Sequence, residues 1–509
     1  MTDIPTPLLN PDSATVKENR RPATSRLATI DEAGTPPLAP LAPNHFESRG
    51  EISGVLNIAA RIGEILINAG VTNTDAAIYV RSVLESFGLW GVHVDLTHQR
   101  INLYANIPGE HGINMVHVVR GGAQNYRQLA QCDALIRDIH AGKAGPAAAE
   151  IRLDSIAAYD KDMEDFGVKL SWSVLGAAVS AMIGGSIYVI LVTWVASLLI
   201  MHLTYWLDKK GLPVFFQNAA GGVLATFIAG VTYRIGMEFD VLIRPSMIIA
   251  TSIVVMLAGL TLVQALQNGV ASAPITAMAR LFDTLMVTAG VVAGVGMGIM
   301  LMSYLGISLP PMETTAAPNF NSNFVRVLGG TFASAGFARA CQAQWPAVFS
   351  SMGTAFMASC LYYYVFLEVN MSDPMATALT ATTMGLLAGL VGRRFQVPPV
   401  IIAVAGVTPL LPGLAIYRGL YGLLNDQILA GFTNLTFAFV TATALSAGIV
   451  FGEWIARQLR RPVRLQNTLR YYRRRARRRM RLEQRNEITA TDPTGFPAIR
   501  PEQLPADQP

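Results

Sequence analysis

Ionisable side chains are scarce inside the apolar part of this chain, and the few present define where chemistry could be done. Asp283 stands near the start of the apolar stretch 281–305, with Arg280 three residues earlier on the same helical face. An ionisable group in such a segment is costly and by default marks a substrate or proton path, so Asp283 is a candidate proton carrier or amine-binding carboxylate tuned by Arg280. The plainer alternative is an i, i+3 ion pair at a helix end. Arg418 closes a later stretch and offers a planar fork of donors to a substrate carboxylate, with Asp426 placed to neutralise it across a short loop. A snorkelling arginine at a membrane interface is its alternative. Gln217, Asn218, Thr261 and Gln264, with Gln267 and Asn268 beyond, supply uncharged groups that can hydrogen-bond a zwitterion or bond between helices.

Other combinations point away from enzymatic chemistry. His93, Asp95 and Thr97 alternate along one strand face, with His98, His111 and His117 nearby, but their spacing matches no zinc pattern and no cysteine assists. They read as a solvated strand face, with no metal and no cofactor. Cys132, Cys341 and Cys360 form no CxxC pair and read as small buried side chains.

The elements that position these residues follow from composition. The chain is 51% hydrophobic and 14% charged, with mean hydropathy +0.38, against about a quarter charged in soluble proteins. Apolar stretches lie near 171–185, 187–206, 214–233, 245–266, 281–305, 325–341, 346–367, 375–392, 399–419 and 430–455. Most approach the ~20 residues that a helix needs to cross a ~30 Å hydrocarbon core. The first two could instead be one long helix, giving nine spans.

The second half of this region repeats the first. Leu257-Ala258-Gly259-Leu260 aligns with Leu411-Pro412-Gly413-Leu414 at an offset of 154, which also places Gly294 on Gly448, Gly298 on Gly452 and Gln264 on Arg418. Val174-Leu175-Gly176 matches Val327-Leu328-Gly329 at an offset of 153. Two copies of five spans insert in opposite orientations, an arrangement shared by many secondary transporters. The fold class expected is thus a polytopic α-helical membrane protein, with repeats over 170–306 and 325–456. Glycines 290, 294 and 298, with Ala444, Gly448 and Gly452, serve close helix packing. Val397-Pro398-Pro399 through Pro409 and Pro412-Gly413 predicts a broken or kinked helix.

Residues 457–509 carry an arginine run from Arg457 to Arg481. It anchors the carboxyl terminus on anionic lipid at the cytoplasmic face, and does not bind nucleic acid. An even number of spans then puts the amino terminus inside as well. Residues 1–50 read as a disordered tail, and 51–165 as an α+β cytoplasmic domain. In that domain a helix stops at Gly70 and a second ends near Gly88. Strands follow at 92–97 and 101–105, a third near 115–119, and a helix over 126–140.

The order of parts resembles the bacterial threonine/serine exporter family. The resemblance is carried by Ala69-Gly70-Val71-Thr72 before Val80-Arg81, by Gly88-Leu89 and by Val92-His93-Val94-Asp95-Leu96-Thr97. Tyr126-Arg127-Gln128-Leu129, Leu135-Ile136-Arg137-Asp138-Ile139 and the paired Gly259 and Gly413 turns add to it, although Ala258 stands where the family often has proline. It implies a non-enzymatic exporter of threonine and serine, driven by the proton gradient, in the bacterial plasma membrane. The partners implied are the amino acid, protons and lipid, and the architecture is compatible with a homo-oligomer. Export of a small dicarboxylate, a membrane-anchored hydrolase using the amino-terminal domain, and a channel or receptor are the competing classes.

Overall fold

Glycine and proline set most of the element boundaries. The computed structural model describes residues 49–105, 112–121, 124–158, 166–241, 243–256, 259–310, 323–424 and 427–460. Helix α1 (Arg49–Asn68) stops at Gly70, whose φ of +88° strains any side chain. Thr72 then caps α2 (Asn73–Ser86) by accepting from the Asp75 N–H. Strands β1 (His93–Leu96), β2 (Arg100–Ala105) and β3 (Ile113–Val118) form an antiparallel sheet in that order, with Val94 opposite Leu103 and Leu103 opposite Met115. Val94, Leu96, Ile101 and Leu103 are buried, while His93 and Asp95 are exposed, as the period-two pattern predicts. Asn125 caps α3 (Tyr126–His140). Helix α4 (Pro146–Ala158) is not expected from the sequence; in it Ala149, Leu153 and Ile156 are buried at helical spacing. Its register was masked by apolar alanines around most of its circumference.

Twelve further helices follow: α5 (Phe166–Ile183), α6 (Ile187–Lys209), α7 (Val214–Glu238), α8 (Pro245–Ser252), α9 (Gly259–Val270), α10 (Pro274–Tyr304), α11 (Asn323–Ala340), α12 (Trp345–Leu361), α13 (Asp373–Phe395), α14 (Pro399–Val407), α15 (Gly413–Leu424) and α16 (Ile428–Arg460). They fall on all the expected apolar stretches. Among the described residues six are long and apolar enough to cross a bilayer, and up to eight spans result if each bent pair counts as one. The stretch 171–206 is two helices: Gly184, at φ +90°, ends α5, and Ser186 caps α6. Helix α10 begins seven residues before the expected stretch. Pro274 suits its first turn, and its first turns are anchored by polar contacts to the amino-terminal elements.

Two helix pairs are bent. The pair α8–α9 turns by 50° after a 3-10 turn at Ile253–Met256, and α14–α15 by 47° after another at Thr408–Leu410. The breaks meet: a Cβ on Gly259 would lie 2.9 Å from the Gly413 nitrogen and 3.0 Å from its Cα. Contacts are reciprocal around this point. Helix α7 packs on α10 and α13 on α16; α9 packs on α16 and α15 on α10; α5 packs on α11. Gly294 lies against the Ala219 carbonyl, and Gly448 and Gly452 against those of Ala378 and Thr382, so close backbone approach is what these glycines provide.

Candidate functional site

A buried polar cluster brings the start of α10 and the end of α9 against the amino-terminal layer. Helix α9 turns Gln264 and Asn268 inward, each about 1% exposed, and α10 contributes Thr276, Arg280 and Thr284 at one-turn intervals. Arg280, 8% exposed, donates from Nη1 to Gln264 Oε1 at 2.6 Å and from Nη2 to the Ile67 carbonyl of α1 at 3.2 Å. Its Nε and the Gln264 Nε2 are buried with no hydrogen-bond partner among the described residues. A buried guanidinium with a donor to spare, beside an amide with a donor to spare, is a ready receiver for a carboxylate. Thr261 and Thr284 share a hydrogen bond at 2.8 Å beside it.

Gly70 permits this arrangement, because any Cβ there would overlap the Gln264 side chain. The next contacts fasten the two layers. Asn73 donates from its backbone N–H to Asn268 Oδ1 at 3.0 Å, and from Nδ2 to Thr276 Oγ1 at 2.7 Å. Thr74 donates to the Ala271 carbonyl at 2.6 Å. Arg457 near the end of α16 pairs with Asp75 at 3.0 Å, and the Tyr126 N–H donates to the Cys341 carbonyl at 2.8 Å.

Asp283 does not take Arg280 as its hydrogen-bond partner. Its side chain is 57% exposed and its Oδ2 lies 3.1 Å from His98 Nε2, just beyond β1. The i, i+3 ion pair named as the plainer alternative is therefore not formed among the described residues, where Gln264 and Ile67 take the guanidinium.

The other sequence candidates are dispersed. Gln217 donates to Asp208 Oδ1 at 3.0 Å and to the Leu212 carbonyl at 2.6 Å, which secures the α6–α7 turn. Asn218 is buried against Gly290 of α10, its Nδ2 without a partner among the described residues. Arg418 is half-buried on α15 beside Tyr417. Asp426 lies outside the described residues. The site thus unites Thr261, Gln264 and Arg280, with Asp283 on its rim. Asn73, Thr276 and His98 join it unannounced by the sequence. Their partners lie about two hundred residues away, and no local spacing announces them.

A mostly helical chain with at least six apolar helices of spanning length, broken helix pairs and a buried polar cluster defines a polytopic membrane protein. Residues 57–302 and 313–455 match the family described as "Putative threonine/serine exporter". The chain is 46% identical over 445 residues to the "Threonine/serine exporter" of Corynebacterium glutamicum, covering 86% of this chain and 90% of that one. It is 29% identical over 415 residues to the "Probable threonine/serine exporter" of Mycobacterium tuberculosis (strain ATCC 25618 / H37Rv), covering 80% and 77%. No solved structure matches. This chain belongs to the threonine/serine exporter family, which is a family of bacterial transporters and not of enzymes. The hydrolase alternative falls with that assignment.

Proposed function

We propose that this chain exports threonine and serine across the plasma membrane, driven by the proton gradient, through ten spans arranged as two inverted five-helix repeats. The reading pairs α5 to α10 with α11 to α16, each bent pair counting as one span. The meeting of Gly259 with Gly413 carries it: equivalent positions of an inverted repeat come together where the symmetry axis passes. The names of the two relatives supply the substrates.

Span parity supports the same reading. The amino-terminal layer touches the α9–α10 connection at Ala271, the α11–α12 connection at Cys341 and Gln342, and the end of α16 at Arg457. Four spans, then two, then four separate these points on the ten-span path, so all fall on one face. Lys209, Lys210 and Arg339, which lie over the rings of Tyr205, Trp206 and Trp345, fall on that face too. That is the cytoplasmic face by the positive-inside rule, with the arginine tail on anionic lipid.

In this mechanism Arg280 receives the substrate carboxylate, Gln264 and Thr261 add hydrogen bonds, and Asp283 with His98 passes the proton at the cytoplasmic mouth. Arg418 is the counterpart near the external face. The 154 offset sets it on Gln264 and sets Asn434 on Arg280, so a guanidinium and a carboxamide recur with their helices exchanged.

Reconstituted transport of labelled threonine, serine and succinate, with and without a pH gradient, tests the proposal. Uphill movement of threonine and serine that collapses with the gradient is expected. Movement of succinate alone would turn the reading to dicarboxylates, and flux indifferent to pH would remove the proton.

A further inference from the structure

A groove of about 420 Å³ opens between the amino-terminal layer and the start of α10. Its walls come from α2, from β1 and Thr97, and from residues Ser272 to Thr276. Arg81 and Asp95, exposed and opposite in charge, both line it. Arg81 enters no ion pair among the described residues, and Asp95 has only the Asn102 amide at 3.5 Å. Their charges therefore remain available.

Two further features add polarity. Asn73 lines the groove, is 2% exposed, and has an Oδ1 without a partner, its Nδ2 being committed to Thr276 and Leu96. Helix α10 begins in the groove at Pro274 with no side-chain cap; Pro274 has no N–H and the Ala277 N–H bonds the Ala273 carbonyl, so the Ile275 and Thr276 N–H groups and the positive end of a 31-residue helix lie at the groove. Ala77, Val94 and Leu96 supply an apolar lining.

An anion here would be repelled by Asp95 and a cation by Arg81. A molecule carrying both charges gains from both. We propose that this groove binds a free zwitterionic amino acid, its carboxylate between Arg81 and the start of α10 and its ammonium on Asp95, at a site separate from the transport path. The choice of threonine as probe rests on the exporter reading above; the groove's charges do not.

Such a ligand would bridge the amino-terminal layer and α10. Thr97 in its wall precedes His98, which holds Asp283. Occupancy therefore strengthens the docking of the layer against the cytoplasmic end of α10, and the cytoplasmic amino-acid level would set how firmly that end is held.

The test is equilibrium binding of L-threonine to the full-length protein in lipid nanodiscs, for the wild type, Arg81→Gln, Asp95→Asn and Arg280→Gln. Two binding components are expected in the wild type. Arg81→Gln and Asp95→Asn should each weaken one component by at least about tenfold, the loss of a hydrogen bond to a charged group. Arg280→Gln should remove the other while the groove component persists, since Asn73, Thr74 and Asp75 still hold the layer to α9, α10 and α16. N-acetylthreonine, which lacks the ammonium, should bind the groove no better in the wild type than in Asp95→Asn. Both Arg81 and Asp95 are exposed, so neither change threatens folding. Wild-type stoichiometry and affinity in both groove variants would overturn the proposal. Failure of wild-type liposomes to move threonine would instead sink the exporter reading, and the groove result would stand apart from it.

Discussion

Arg280 Nη1 donates to Gln264 Oε1 at 2.6 Å, joining two helices on either side of the α9–α10 turn, and both side chains are buried. The same guanidinium reaches back to the Ile67 carbonyl in the amino-terminal layer. One side chain thus ties a break-flanking helix, a long helix and the docked layer together. Any ligand that draws the guanidinium away loosens all three, which in the proposed mechanism links carboxylate recognition to movement at the end of α10 that meets the amino-terminal layer.

Arg280→Gln should therefore remove threonine export while the protein still reaches the membrane. Hydrogen bonds to a charged group contribute about 1.5–3 kcal/mol each, and the neighbouring Gln264 and Ile67 acceptors would be left buried. A lowered thermal midpoint is expected together with lost efflux. Arg280→Lys should recover part of the stability but little of the transport, because an ammonium lacks the planar fork. Full efflux in Arg280→Gln would exclude the guanidinium from substrate binding.

Asp283 and His98 should act as one unit in coupling. Asp283→Asn is expected to abolish gradient-driven efflux while threonine exchange across the membrane without a pH gradient persists. His98→Gln should do the same to a smaller extent, and the double variant should be no worse than Asp283→Asn alone. Separate additive losses, or normal uphill efflux in Asp283→Asn, would remove the pair from the proton path.

The amino-terminal layer carries its own pH dependence. Burial pushes the His140 imidazole down from 6.5 to about 4, against a smaller opposing contribution from a hydrogen bond with the Ser82 backbone. A depressed folded pKa means that the unfolded chain binds the proton more readily. The associated stability is thus full above pH 6.5 and is lost as pH falls from there to about 4. The difference corresponds to about 3 kcal/mol as an upper figure. Thermal unfolding of the full chain between pH 7 and 4 should show the layer melting earlier, and His140→Gln should flatten that slope. An unchanged slope would assign the acid sensitivity to other groups.

How much of this was legible depended on how local the cause was. Gly70 and the Pro398-to-Gly413 cluster announced their breaks because backbone freedom is a property of the residue itself, whereas the break at Gly184 left one helix or two open over 171–206. The alternation in β1 and β2 announced which side chains are buried. The 154-residue offset aligned Gly259 with Gly413 in the sequence, but contact between them is a tertiary fact. Arg280 illustrates the limit. Sequence proximity offered Asp283, whereas the fold brings Gln264 and a carbonyl 213 positions away within reach, and hands Asp283 to a histidine 185 positions away. Helix α4 was missed for the opposite reason, since alanines blurred a period that only packing resolves.

The contact between Gly259 and Gly413 yields the most direct test of the repeat. If the two breaks are equivalent halves of one crossing, a methyl group on either presses on the same neighbour from opposite sides. Gly259→Ala and Gly413→Ala should then cost similar stability, on the order of 1–3 kcal/mol for overpacking. The double variant should depart from additivity, because the first methyl already forces the helices apart. Efflux should fall alongside, since the crossing is where the repeats move against each other in the proposed mechanism. Thermal midpoints and threonine efflux of the three variants measure this. Tolerance of one single variant beside collapse of the other would mean that the breaks only happen to touch, and the symmetric placement of Arg418 and Asn434 opposite Gln264 and Arg280 would lose its basis.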